Sequence, residues 1–123
     1  MAYSPTALVN YIQEDLDKME GKREPVKVNP LMRLGVKKVS PFELHVNPED
    51  EFSMAHIGPN NSIVSNYCSI ARTEDAFHRP VYEEPIIVVK LRSEGYMMLN
   101  GHHRWAGAIR AGVAKVRITI ENP

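Results

Sequence analysis

A single cysteine, Cys68, occurs in the 123 residues. It excludes an internal disulfide and any all-cysteine metal site, and it fits a reducing compartment. No charge of one sign prevails. Lys and Arg total 15, Asp and Glu total 15, and the formal net charge is zero. The chain therefore has no global pull toward nucleic acid or anionic lipid, so any phosphate affinity must come from a local site. Long apolar runs are also missing, and none approaches the ~20 residues that a membrane helix needs. The N-terminus lacks a basic stretch followed by an apolar one, so a secretory signal is not expected and a cytoplasmic location is. Repeats and low-complexity tracts are absent. What remains is 43% hydrophobic residues, enough for a core and too many for wholesale disorder. The length suits one compact domain, or one domain with an arm.

The first segment reads as a helix. Ser4 is a cap, Pro5 suits the first helical position, and Leu8, Ile12, Leu16 and Met19 recur at helical spacing. It should end near Gly21, and Lys22 to Pro25 read as a charged linker. Residues 1–24 are thus expected as an amphipathic arm, packed on its own domain or on a second copy in a homodimer. Residues 25–123 are the domain. Nothing on the arm looks chemical.

Residues 36–46 alternate as a half-buried strand broken by Pro41. The turn Asn47-Pro48-Glu49-Asp50-Glu51 carries three acids. After Gly58-Pro59, Asn61 or Ser62 caps a helix to about Arg72, with Ile63, Tyr67 and Ile70 inward. Cys68 on that helix reads as a small buried hydrophobe. Asp75 to Glu84 is a loop, either a site-covering flap or an ordinary connector. Ile86 to Leu91 is a buried-type strand, and Arg92-Ser93-Glu94-Gly95 a hairpin loop. Tyr96 to Leu99 is the partner strand. A helix from about His102 to Ala111 follows, capped by Gly112, and Val116 to Ile120 is the last strand. Small residues Ala106, Gly107 and Ala108 let this helix approach the sheet. Interleaved helices and strands with a hairpin indicate an α+β fold with a mixed sheet flanked by helices.

The densest polar cluster is Asn100-Gly101-His102-His103-Arg104, where strand turns into helix. The first N–H groups of a helix lack internal acceptors, and the helix dipole favours an anion there. Gly101 permits close backbone approach, the histidines add donors, and Arg104 offers a fork suited to phosphate. The cluster reads as a phosphate cradle. In the plainer reading, His102 is solvated, His103 is buried and hydrogen-bonded, and Arg104 pairs with an acid such as Glu94. Trp105 is core or a pocket wall. His45, His56 and His78 show no tight ligand spacing, and no structural zinc site is expected.

Strand, Asn-Gly-His-His-Arg-Trp-Ala-Gly-Ala, helix, Gly112 and a final strand resemble the signature of the ParB/sulfiredoxin superfamily. The resemblance is firm from Pro85 to Ile120, plausible from Val36, and does not reach the N-terminal helix. Gly101 to Gly107 is most similar to the free-serine kinases, which move a phosphoryl group from a nucleotide to serine. Their motif is preceded by Asp, and here the position is Asn100. Their acid after a Pro matches Pro48-Glu49-Asp50-Glu51, which puts Asp50 in the place of a base. Sulfiredoxins carry Cys where this chain has His102, so a sulfinic-acid reductase is not expected. Partitioning ParB proteins have Gly-Glu-Arg-Arg at the motif and a helix-turn-helix domain beyond it. DNA recognition by this chain alone is therefore not expected, in line with its neutral charge.

The resemblance implies a domain that binds a nucleotide or another phosphate compound and acts as a phosphotransferase on a small hydroxyl acceptor such as serine, with ATP or ADP, or another nucleotide, and Mg2+ as cofactors. Asp50 and His103 are the candidate catalytic residues. Asn100, Gly101, His102, His103 and Arg104 are the candidate phosphate ligands. Two alternatives stand beside this one: a ParB-like nuclease holding a backbone phosphate, and a non-catalytic nucleotide-binding module.

Overall fold

A computed structural model of the chain describes residues 3–123. Helix α1 (Pro5–Lys18) starts on Ser4, whose Oγ accepts the Ala7 N–H at 3.1 Å. It stops one turn earlier than Gly21 suggests, with Met19 as its C-terminal cap. Leu8, Ile12 and Met19 are fully covered, and Leu8 and Ile12 join the common hydrophobic core. The apolar stripe of the arm therefore packs on its own domain. The expected linker ends at Pro25, where the short strand β1 (Pro25–Val26) begins.

A one-turn helix α2 (Pro30–Arg33) leads to β2 (Lys37–Val39). Pro41 then breaks the strand as expected, by opening a 3-10 turn over Pro41–Glu43. Strand β3 (Leu44–His45), the 47–50 turn and a second 3-10 turn (Glu51–Ser53) follow. Helix α3 spans Asn61–Ala76, capped by the Asn60 side chain on the Ile63 N–H. Strands β4 (Ile86–Leu91) and β5 (Tyr96–Asn100), helix α4 (His102–Ala111) and β6 (Val116–Glu121) complete the chain.

The six strands form one mixed sheet in the order β2-β6-β4-β5-β3, with β1 paired to the far end of β4. The β4–β6 and β3–β5 pairs are parallel and the rest antiparallel. Burial along β4 is almost unbroken, as a central strand demands. The architecture is the expected α+β fold.

Two local expectations change. Helix α3 turns Val64, Cys68 and Ala71 into the core, while Ile63 and Ile70 are exposed. The face is set by α4, which comes so close that a Cβ on Gly107 would lie 2.6 Å from Tyr67 Cβ and 2.8 Å from Cys68 N. Gly107 thus serves helix–helix packing, whereas the sequence points to the sheet. The second change concerns the loop after α3. Its first two residues are helical, and the rest is pinned by buried Val81 and Tyr82. The Tyr82 N–H donates to Glu74 Oε1 at 2.8 Å, and its hydroxyl donates to the Tyr67 carbonyl at 3.2 Å. This is a tethered connector and not a flap.

Candidate functional site

The α4 N-terminus opens into a cavity of about 220 Å3 lined by Asp50, Asn100, Gly101, His102, His103 and Arg104. Every residue marked for chemistry in the sequence borders this one space. Ile63 and Tyr67 of α3 form its apolar wall. Of the stripe expected to face the core, Ile63 is exposed and turns to the cavity, while Tyr67 packs against the core as expected and also borders the cavity.

Gly101 is the N-terminal cap of α4, with φ of 99° and ψ of 21°. A Cβ there would be 3.0 Å from Arg104 Nη2 and 3.2 Å from Ile86 Cγ1. Both the backbone angle and the space therefore require glycine. Having no side chain, Gly101 gives the first turn no side-chain cap. Ser4, Asn29 and Asn60 cap the other three α-helices. The leading N–H groups of α4 are left to the cavity, at the positive end of the helix dipole.

The two histidines exchange the places that the plainer reading gives them. His102 is buried at 3% exposure, and His103 is only half-buried. The Asn47 N–H donates to His102 Nε2 at 3.0 Å, and the Asn60 N–H donates to His103 Nε2 at 3.1 Å. A nitrogen that accepts an N–H carries a lone pair, so the proton of each neutral ring sits on Nδ1. His102 Nδ1 faces Asp50 Oδ2 at 3.5 Å and has no closer partner. Burial pushes the pKa of His102 down, Asp50 opposes this, and His103 adds to it. Burial also lowers His103, again against the pull of Asp50. Both rings are therefore held neutral, and the one N–H of His102 is buried on the side of Asp50. Phe52 is buried between them, its ring 5.4 Å from that of His102 and 5.1 Å from that of His103.

Asp50 divides its carboxylate. Oδ1 accepts the Phe52 N–H at 2.9 Å and caps the second 3-10 turn, which leaves Oδ2 toward His102 and the cavity. Arg104 is mostly buried. Its Nη1 donates to the carbonyls of Glu84 at 2.6 Å and Pro85 at 3.1 Å, with the Glu84 carboxylate at 4.0 Å. The acid beside it is Glu84, whereas Glu94 pairs with Lys18 at 3.3 Å. The rest of the guanidinium lies over Gly101 at the cavity. Trp105 is core, with Nε1 donating to the Pro41 carbonyl at 2.8 Å.

The site also uses groups that sequence patterns do not show. The amides of Asn47 and Asn60 and the carbonyls of Glu84 and Pro85 carry no side-chain signature. A buried pair away from the cavity, Asp15 and His45, joins at 2.7 Å. Among the described residues no group of three His, Cys, Asp or Glu side chains is arranged to hold a metal ion.

This architecture is the ParB/sulfiredoxin-like fold. The family model for the ParB N-terminal domain matches residues 70–123. The C-terminally truncated chromosome-partitioning protein ParB of Caulobacter crescentus, complexed with CTP-gamma-S, is similar with a TM-score of 0.56 and 20% identity, over 72% of this chain and 45% of that one. Sulfiredoxin from Arabidopsis thaliana is similar with a TM-score of 0.52 and 15% identity, over 72% of this chain and 86% of its own. The same Caulobacter protein complexed to the centromeric parS site gives a TM-score of 0.51 and 19% identity, over 70% of this chain and 39% of that one. The chain thus spans less than half the length of these ParB structures. Among curated proteins no significant sequence match is found. No helix among the described residues is long and apolar enough to cross a membrane.

Proposed function

We propose that the cavity binds the phosphates of a nucleotide and passes a phosphoryl group to a small hydroxyl acceptor such as serine. The observation that carries this reading is the uncapped α4 N-terminus behind Gly101, at a cavity that is also lined by Arg104 and by the neutral ring of His103. Such a helix end is a ready anion site. The CTP-gamma-S complex of a ParB protein of the same fold supports a nucleotide as the source of the anion. The likeness of Gly101 to Gly107 to the free-serine kinases supports transfer rather than binding alone.

In the transfer, the acceptor hydroxyl oxygen bonds to the terminal phosphorus of ATP or ADP. The bond from that phosphorus to the bridging oxygen breaks, and the electron pair leaves with the shortened nucleotide. The hydroxyl proton passes to Asp50 Oδ2, the carboxylate oxygen not used in capping. His103 offers its Nδ1–H and Arg104 its charge to the phosphates, while His102, whose Nδ1–H is buried against Asp50, holds the base in place. Mg2+ would arrive on the nucleotide, where it neutralises phosphate charge.

A thermal-shift panel of CTP, ATP and ADP with Mg2+ tests the binding. A nucleotide at 100 times its Kd should stabilise by roughly 2.7 kcal/mol. No shift with any of them overturns the reading. Phosphorus NMR with serine present then tests the transfer. Asp50→Asn should keep affinity and lower turnover by about 10²–10⁴-fold. Binding without turnover in the wild type, with turnover appearing in Asn100→Asp, marks a non-catalytic relative. Cleavage of nucleic acid instead would move the reading to a nuclease.

A further inference from the structure

Helix α1 carries nothing chemical by its sequence, yet it brings one carboxylate into the interior. Asp15 is 6% exposed and His45 is 5% exposed. Asp15 Oδ1 accepts the His45 Nδ1–H at 2.7 Å, and Oδ2 accepts the Val46 N–H at 3.0 Å. Both oxygens are therefore spent on two consecutive residues at the end of β3. The next amide along, that of Asn47, is the one that donates to His102 Nε2. Three residues further, Asp50 presents Oδ2 to His102 Nδ1. The intervening turn is closed by its own bonds. The Asp50 N–H donates to the Asn47 carbonyl at 3.1 Å, the Ser53 hydroxyl to the same carbonyl at 2.8 Å, and the Glu49 N–H to Asn47 Oδ1 at 3.0 Å.

We infer that Asp15 is a positioning residue for the cavity. By holding His45 and Val46, it sets where the 47–50 turn begins. The turn moves as one closed piece, so its origin places the Asn47 N–H and the Asp50 carboxylate on opposite nitrogens of His102. One buried carboxylate on α1 thereby selects the Nδ1–H tautomer of a ring on α4. A bond to one ring nitrogen decides the state of the other, and a buried charge with two fixed donors is a rigid anchor. The inference rests on the proposed ligand site only where affinity is concerned. The tautomer is a property of the free protein.

Long-range proton–nitrogen NMR of the imidazoles in the ligand-free full chain tests it. The wild type should show His102 as Nδ1–H. Asp15→Ala should populate Nε2–H at His102, because the 47–50 turn loses its fixed origin. Asp15→Asn should keep His102 as Nδ1–H. Its amide oxygen still accepts the Val46 N–H, while its amide N–H turns toward His45 Nδ1 and switches His45 to Nε2–H. A folded Asp15→Ala variant with unchanged His102 overturns the inference. If that variant does not fold, amide exchange in the wild type decides. Val46 and Asn47 should open with the same free energy, and independent opening overturns the inference. In the nucleotide titration, Asp15→Ala should lose about tenfold in affinity, the scale of one hydrogen bond, and Asp15→Asn should stay near the wild type. A tautomer change at His102 in a protein that binds no nucleotide upholds the role of Asp15 and overturns only the nucleotide reading.

Discussion

Arg104 Nη1 donates to the carbonyl oxygen of Glu84 at 2.6 Å, so the arginine at the head of α4 is fastened to the chain just before β4. The Pro85 carbonyl takes a second bond from the same nitrogen. The guanidinium thus has two duties: it ties the connector after α3 to the site, and it faces the cavity over Gly101.

Arg104→Ala should for that reason affect fold and binding together. It leaves two carbonyls without a charged donor, which costs on the order of 1.5–3 kcal/mol. Urea unfolding should show this loss, and calorimetric titration should show weaker nucleotide binding. Arg104→Lys should recover only part of either, because a single ammonium cannot span both carbonyls and the cavity. Wild-type stability in Arg104→Ala would show that the carbonyl bonds contribute nothing.

Gly101→Ala meets two obstacles, a positive φ of 99° and contacts of 3.0 and 3.2 Å to Arg104 and Ile86. The left-handed backbone alone costs roughly 1–2 kcal/mol. Thermal unfolding should fall by several degrees. The methyl group also presses on the guanidinium, so nucleotide affinity should fall with it. An unchanged Tm would mean that the cap relaxes to another backbone conformation.

The depressed His102 and His103 values fix the sign of one pH effect. Unfolded, each ring titrates near about 6.5. Folded, burial holds each below that, against the pull of Asp50. As pH falls past the unfolded value, the unfolded chain takes up protons that the folded chain refuses. This contribution is complete above the ordinary histidine value and is lost as pH falls through the depressed ones. Stability should decline as pH falls from about 6.5 toward the depressed values. His102→Gln supplies an oxygen for the Asn47 N–H and no titrating ring, so its profile should be flatter. A wild-type profile already flat over this range would contradict the neutral rings.

The C-terminal third was legible because its determinants are local. The unbroken apolar run makes β4, and Gly95 closes the hairpin. Gly112 in the left-handed region ends α4 where the sequence ends it. The cradle from Asn100 to Arg104 is a run of adjacent residues at one junction, and Asp50 sits in a turn that its own composition announces. The orientation of α3 was not legible, since the apolar stripe through Ile63 and Tyr67 fits a core face and a cavity wall equally well. The partner that decides is Gly107, forty residues on from Tyr67. The Asp15–His45 pair lies 30 residues apart, with neither residue in a motif. The amides that set the histidine tautomers belong to asparagines whose side chains are busy with turns and caps. Such bonds follow from tertiary position and leave no trace in residue type.

The contact at Gly107 leaves no spare room between α3 and α4, and the residue that carries the only thiol of the chain has its backbone at that contact. Cys68 is 3% exposed, and its backbone nitrogen is one of the atoms that a Gly107 side chain would strike. The thiol also neighbours the buried Tyr82 of the connector, so an alkylating reagent can reach the sulfur only when the packing around α3 opens. The rate of labelling in the native protein therefore measures the opening of that packing and needs no engineered probe. Tyr67, the neighbour of Cys68, walls the cavity on the same helix. The protein thus carries a built-in chemical clock for how often the packing around the helix behind its own pocket opens.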